Sequence, residues 1–161
     1  ILIDARQSST LNDTIPIQEA AYARAGIKVK FNIISAGYYS TVMNPAKQSD
    51  MTNSGWGADW ANASTVIPEL FASFGGFNLS QNTNDPAYKA FEDKVNIAMK
   101  TTDRKKQAEM WKALDKEAMK NFWVLPTTFG KAQEIWGSGL GGVFFWVPQG
   151  NPAYGKIWVK K

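Results

Sequence analysis

The order of strand-like and helix-like segments in the first 34 residues constrains the fold most strongly. Residues 1–5 form a short apolar run, a helical pattern covers residues 13–26, and residues 27–34 return to an apolar, β-branched run. Pro16 is expected in the first turn of this helix and Gly26 at its end. Two strands joined by such a helix pair in parallel through a right-handed crossover. The sequence therefore predicts a β-α-β unit.

The rest of the chain carries two successive helical stripes and several short strand-like runs. The helical stripe that follows Asp85 and Pro86 predicts burial of Tyr88, Phe91, Val95 and Ala98 or Met99. A second stripe, from Asp103 onward, predicts burial of Ala108, Trp111, Leu114 and Ala118. Further strands are predicted at residues 50–56, 121–129, 143–147 and 157–160, and short helices or turns within 37–43 and 64–74. We therefore expect an α/β fold, with helices on the faces of a mixed sheet.

Composition excludes several classes of site. The chain of 161 residues has neither cysteine nor histidine, which excludes disulfides, thiolate nucleophiles, histidine acid–base catalysis and zinc sites built on these residues. We expect no cofactor and no bound metal. Lysine and arginine exceed aspartate and glutamate by 18 to 14 without a dense basic block. Carboxylates such as Asp4 and Asp13 lack an accompanying base or nucleophile and are expected to be solvated.

Residues 54–65 form the most informative segment. Gly55 and Gly57 flank Trp56, and Asp59 stands between aromatic residues just before a helical pattern. Glycines here would let an extended ligand approach the main chain, and Asp59 would offer a fixed negative charge to a ligand cation. The alternative is a tight strand-to-helix turn in which Asp59 only caps neighbouring amides. The residues alone leave both interpretations open.

The same segment carries a resemblance to a known family. The motif Gly55-Trp56-Gly57-Ala58-Asp59-Trp60, with Ser64-Thr65 and Leu70-Phe71 after it, resembles the signature of family 5 extracellular solute-binding proteins, the peptide, oligopeptide and nickel receptors of ABC transporters. The segment from Ala58 to Pro68 looks most like actinobacterial members. The resemblance implies a two-lobed (type II) binding-protein fold, with residues 1–161 in the C-terminal lobe and 143–161 returning toward a missing N-terminal lobe. The start at Ile1, inside a predicted strand, also predicts a fragment of a longer chain.

The resemblance implies a function and a set of site residues. The receptor would be extracytoplasmic, either periplasmic or a cell-surface lipoprotein, and would pass a peptide to the permease subunits of an ABC importer. Asp59 would hold the ligand's amino terminus, and the main chain around Gly55 to Gly57 would pair with the peptide. The ligand-binding residues expected from the motif and its surroundings are Tyr38, Asn53, Gly55, Trp56, Gly57, Asp59 and Trp60. Asn53 replaces a basic residue that some oligopeptide binders use for the ligand's carboxylate, and Tyr38 is about as well explained as a core or surface residue.

Three alternatives stay open from the sequence. An oligosaccharide-binding member of the same family would use the same cleft. A two-carboxylate hydrolase would need Asp59 with Asp50 or Glu69, although nothing fixes their spacing. An aromatic-rich module for single-stranded nucleic acid is suggested by a sequence pI of about 9.2. The lack of a basic stripe beside the aromatic residues argues against nucleic acid as a partner.

Overall fold

The computed structural model describes residues 1–128, 130–131, 133–147 and 150–161. Within them the α-helices are α1 (Ser9–Arg24), α2 (Tyr38–Val42), α3 (Ile67–Phe71), α4 (Tyr88–Lys100) and α5 (Arg104–Lys120). The strands are β1 (Leu2–Arg6), β2 (Lys30–Ile34), β3 (Met51–Asn53), β4 (Leu140–Gly141), β5 (Phe145–Trp146), β6 (Asn151–Pro152) and β7 (Trp158–Val159). Not one of the described helices has the length and apolar character needed to cross a membrane.

A parallel sheet in the order β2-β1-β3 organises the first third of the chain. Asp4 on the central strand lies opposite Asn32 on one side and Thr52 on the other. The predicted β-α-β unit and the α/β class are confirmed. Parallel and antiparallel pairs both occur among the described residues, but they belong to separate sheets. The antiparallel pairs are the short β4–β7 and β5–β6 ladders.

Helix α1 begins earlier than predicted. The Ser8 hydroxyl accepts a hydrogen bond from the Leu11 N–H at 3.1 Å and caps the helix, which therefore begins at Ser9, four residues before Asp13. Pro16 therefore lies inside the helix and not in its first turn. Gly26 ends the helical turn with a positive φ of 76°, as predicted, because glycine adopts this left-handed conformation without steric cost.

Asp4 is fully buried, which corrects the expectation that its carboxylate is solvated. Its Oδ1 accepts hydrogen bonds from Asn32 Nδ2 at 2.7 Å and from the Ser49 hydroxyl at 2.8 Å, and its Oδ2 accepts from the Ser49 N–H at 2.7 Å. Burial raises the pKa of this carboxyl, but these hydrogen bonds outweigh burial and hold the pKa below its ordinary value. The carboxylate thus ties β1 to β2 and to the turn before β3.

The main hydrophobic core lies between helices α3, α4 and α5. The predicted stripe of α4 is buried at Tyr88, Phe91, Val95 and Ala98, whereas Met99 is exposed. On α5 the prediction was wrong at Ala108, which is exposed, because Gln107 takes the buried position beside it. The Gln107 Nε2 donates to the carbonyls of Ala98 and Thr101, both at 3.0 Å, and so satisfies groups left open at the end of α4.

The predicted strand at residues 121–129 is not formed over 121–128, and Phe129 lies outside the described residues. Two features explain the difference. Phe122 adopts a positive φ of 57°, which interrupts an extended chain, and Pro126 lacks the N–H that a central strand needs. Trp123 then packs its ring 4.9 Å from that of Phe91, so the segment turns toward the helices. The later predicted strands are present but shorter, as β5 and β7.

Candidate functional site

A cavity of about 550 Å³ lies beside β3. The whole of β3 and the three residues after it line this cavity, and among the described residues β3 pairs with β1 alone. Other lining residues come from α1, from α3, from residues 77 and 79–81 and from the irregular segment 122–125. The candidate ligand-binding residues that reach the cavity are Asn53, Gly55 and Trp56.

Trp56 forms a fixed aromatic wall of the cavity. Its Nε1 donates to the Thr65 carbonyl at 2.8 Å, and its ring centroid lies 5.0 Å from that of Phe77, which also lines the cavity. Trp56 as a residue is 39% exposed. A Trp that is hydrogen-bonded at its N–H and still open on its face can pack against a ligand without rearranging.

Asp59 is exposed and belongs to a local turn with Thr65. The Asp59 carboxylate Oδ2 accepts from the Thr65 hydroxyl at 2.8 Å, and the Asp59 N–H donates to the Thr65 Oγ1 at 3.2 Å. Thr65 itself is fully buried, so it fixes the turn. Asp59 does not line the cavity, and among the described residues it forms no salt bridge. Its charge therefore faces solvent, three residues after Trp56.

Two further candidates from the motif, Gly57 and Trp60, also lie outside the cavity lining. The Trp60 Nε1 donates to the Ser64 hydroxyl at 3.0 Å, and the residue is 52% exposed. A Cβ built on Gly55 or on Gly57 meets no atom within 4 Å. The main chain at both glycines is consequently open to an approaching molecule.

Tyr38 is a core residue and does not line the cavity. Its hydroxyl donates to the Asn53 carbonyl at 2.7 Å, which joins α2 to the end of β3. Burial raises the pKa of the Tyr38 hydroxyl. We infer that Tyr38 positions Asn53, because Asn53 lines the cavity and Tyr38 does not.

Sequence reasoning missed a row of aromatic rings that leads away from the cavity. Tyr39 packs edge-on against Phe77, with ring centroids 5.6 Å apart, and Phe77 packs against Trp56. The Arg6 guanidinium carbon lies 6.0 Å from the Tyr39 ring centroid. No sequence pattern indicated this arrangement, because it depends on the order β2-β1-β3, in which Arg6 ends the central strand.

The carboxylates of the hydrolase alternative lie in different places. Asp50 lines the cavity before β3, and its Oδ2 accepts from the Leu2 N–H at 2.8 Å. Glu69 caps a separate loop, where its Oε2 accepts from the Gly76 N–H at 2.9 Å. Neither Glu69 nor Asp59 lines the cavity. The structure thus brings only Asp50 of these three carboxylates to it.

A scan against models of protein families gives no match to this chain, and a search of curated proteins also gives none.

Proposed function

We propose that the chain is the ligand-binding part of an extracytoplasmic solute-binding receptor that delivers a peptide to an ABC importer. The observation that carries the proposal is the position of the cavity along β3, a strand with a single partner among the described residues. A strand edge offers a regular row of N–H and C=O groups to an added extended chain. A peptide has this backbone, whereas most other solutes do not.

The size and lining of the cavity support the same ligand class. About 550 Å³ falls within the range of small-molecule sites and suits a short peptide. Trp56 and Phe77 supply an apolar face for a side chain, while the open main chain at Gly55 and Gly57 extends the approach toward Asp59. The exposed Asp59 carboxylate would attract the peptide's amino terminus. In this proposal Tyr38 and Asn53 hold the end of β3 in place.

A binding role is preferred to catalysis because of the chemistry at the cavity. Of the described residues that line it, Asp50 alone carries a carboxylate, and its Oδ2 already accepts from the Leu2 N–H. A two-carboxylate mechanism needs a second acid across the ligand. In the proposed receptor, a further lobe of the same protein would close over the ligand, and permease subunits would receive it. The protein would be held outside the cytoplasm, in a periplasm or by a lipid anchor.

An oligosaccharide is the second candidate ligand, because exposed aromatic faces such as Trp56 can stack on sugar rings. The two candidates differ in main-chain pairing. A peptide should protect the amides of β3 against hydrogen exchange, whereas a stacked sugar should act chiefly at the Trp56 side chain.

The test is an NMR titration of the ¹⁵N-labelled chain with a free tripeptide, with maltotriose and with single-stranded oligothymidylate. We expect the tripeptide to shift the amides of residues 51–56 and to emerge intact by mass spectrometry. Trp56→Ala should weaken its binding about tenfold or more. Trp136→Ala, which changes an exposed Trp away from the cavity, should leave binding unchanged. Binding of the sugar or the oligonucleotide without the peptide, or cleavage of the peptide, would overturn the proposal.

A further inference from the structure

Helix α5 has one buried side and one side that carries lysines. Its buried residues are Gln107, Trp111, Leu114 and Ala118. Because side chains follow one another at about 100° around a helix, the side opposite to these carries a second row. This row contains four exposed lysines, Lys105, Lys112, Lys116 and Lys120. We call these four residues the lysine face.

The positive charge of α5 is largely uncompensated. The helix has six basic and three acidic residues and so carries most of the chain's net charge of +4. Glu109 pairs with Lys112 at 3.7 Å, and Glu117 pairs with Lys94 of α4 at 2.8 Å. The other lysines of the face form no salt bridge within the described ranges, namely Lys105, Lys116 and Lys120. The lysine face thus presents free positive charge along the whole helix.

The length of the lysine face suits an extended anionic partner. Lys105 and Lys120 lie about 22 Å apart along the helix axis, since an α-helix rises about 1.5 Å per residue. Exposed charges at physiological ionic strength are screened beyond about 8 Å. A small anion could therefore interact with only part of the face, whereas an extended negative surface could interact with all four lysines.

The residue types of α5 favour a lipid surface over a protein or a nucleic acid. Lysine is depleted in protein–protein interfaces, and single-stranded nucleic acid is bound by exposed aromatic rings. Trp111, the only aromatic residue of α5, is buried. Recognition of single phosphates or carboxylates favours arginine, and Arg104, the only arginine of α5, donates to the Gln107 Oε1 at 3.3 Å. Lysines interact with an anionic bilayer by charge alone, without a fixed geometry.

We propose that the lysine face of α5 docks the protein onto the surface of an anionic lipid bilayer. This goes beyond the proposed function and does not depend on which solute the cavity takes. The lysines of the face are not among the residues that line the cavity, so a docked chain could still bind its solute. Each lysine close to an anionic bilayer strengthens binding about fivefold.

The experiment measures cosedimentation of the chain with vesicles of pure phosphatidylcholine and of an equal mixture of phosphatidylcholine and phosphatidylglycerol. We expect binding to the mixed vesicles alone, and loss of this binding at high salt. The combined changes Lys105→Gln, Lys116→Gln and Lys120→Gln should weaken it about a hundredfold. Glutamine forms helices nearly as well as lysine, so circular dichroism should show an unchanged fold.

The matched control removes the same charge from exposed positions outside α5, with Lys28→Gln, Lys30→Gln and Lys47→Gln combined. It should bind the mixed vesicles almost as the unmodified chain does. Because the chain has no cysteine, a polarity-sensitive fluorophore can be attached at one chosen position. The emission of a label on Ala113→Cys, exposed on α5, should shift to the blue with mixed vesicles, whereas that on Ala23→Cys, exposed on α1, should not.

An equal loss in the two triple variants would show that binding follows net charge alone and would overturn the proposal. Equal binding to both kinds of vesicle, no binding to the mixed vesicles, or a response of the α1 label alone would also overturn it. The same variants are titrated with oligothymidylate and with polyglutamate. Tighter binding of either polymer than of vesicles, lost with the three lysines, would assign the face to a nucleic acid or to an acidic protein instead.

Discussion

The carboxylate of Asp4 binds both the N–H and the hydroxyl of Ser49, at 2.7 and 2.8 Å, across 45 residues of sequence. This contact fixes the turn that delivers the chain into β3 and hence to the cavity. The fully buried Asp4 therefore contributes both to the stability of the sheet and to the position of β3 beside the cavity.

We predict that Asp4→Asn destabilises the fold by about 2 kcal/mol, since an amide nitrogen would face donors that now bind a carboxylate. Urea denaturation measures the change. The control is Asp115→Asn, an exposed aspartate on α5, which should unfold like the unmodified chain. A midpoint for Asp4→Asn equal to that of the control would show that the hydrogen bonds to Ser49 add nothing to stability.

The pKa of Asp4 also predicts how stability depends on pH. Because the pKa of Asp4 is lower in the folded chain than its ordinary value of 3.8, the ionised carboxyl contributes stability above pH 3.8. That contribution is lost as the pH falls below 3.8 and through the folded-state pKa. Denaturation midpoints measured from neutral to acid pH should therefore drop less steeply in Asp4→Asn. Parallel curves for the two proteins would contradict the prediction.

Asp59→Asn should weaken binding of a tripeptide with a free amino terminus about tenfold, which corresponds to about 1.4 kcal/mol. The N-acetyl tripeptide should bind both proteins equally, because it carries no charge at that end. The fold should be unaffected, since an Asn side-chain oxygen can still accept from the Thr65 hydroxyl. Calorimetry gives the affinities, and an equal loss for both peptides would assign Asp59 to the turn alone.

Trp123→Phe should destabilise the chain by about 1–2 kcal/mol. The substitution keeps an aromatic ring beside Phe91 but removes the hydrogen bond from the Trp123 Nε1 to the Asp85 Oδ2, which measures 2.9 Å. Thermal unfolding reports the loss. Trp136→Phe changes a Trp that is 52% exposed and should have no effect. If the two variants unfolded at the same temperature, the hydrogen bond to Asp85 would contribute nothing to stability.

The outcome at Asp4 also shows where sequence reasoning fails. The residues next to Asp4 in the sequence do not indicate which groups it binds, because Asn32 and Ser49 are distant in the chain and lie next to Asp4 only in the folded sheet. Gln107 was missed for the same reason, since the carbonyls that it binds belong to the end of the preceding helix. Periodicity reports which face of an element is buried, but not which polar group a buried position will satisfy.

The sequence by itself determined the β-α-β unit and the buried stripe of α4, because periodicity and glycine placement act over a few residues, whereas it left residues 54–65 open between a turn and a ligand-binding segment. Only the tertiary structure decided that Asn53, Gly55 and Trp56 line the cavity while Gly57, Asp59, Trp60 and Tyr38 do not. It also brought Arg6 to Tyr39. These relationships join segments that are distant in the chain, and they depend on strand order and packing, which local patterns do not encode.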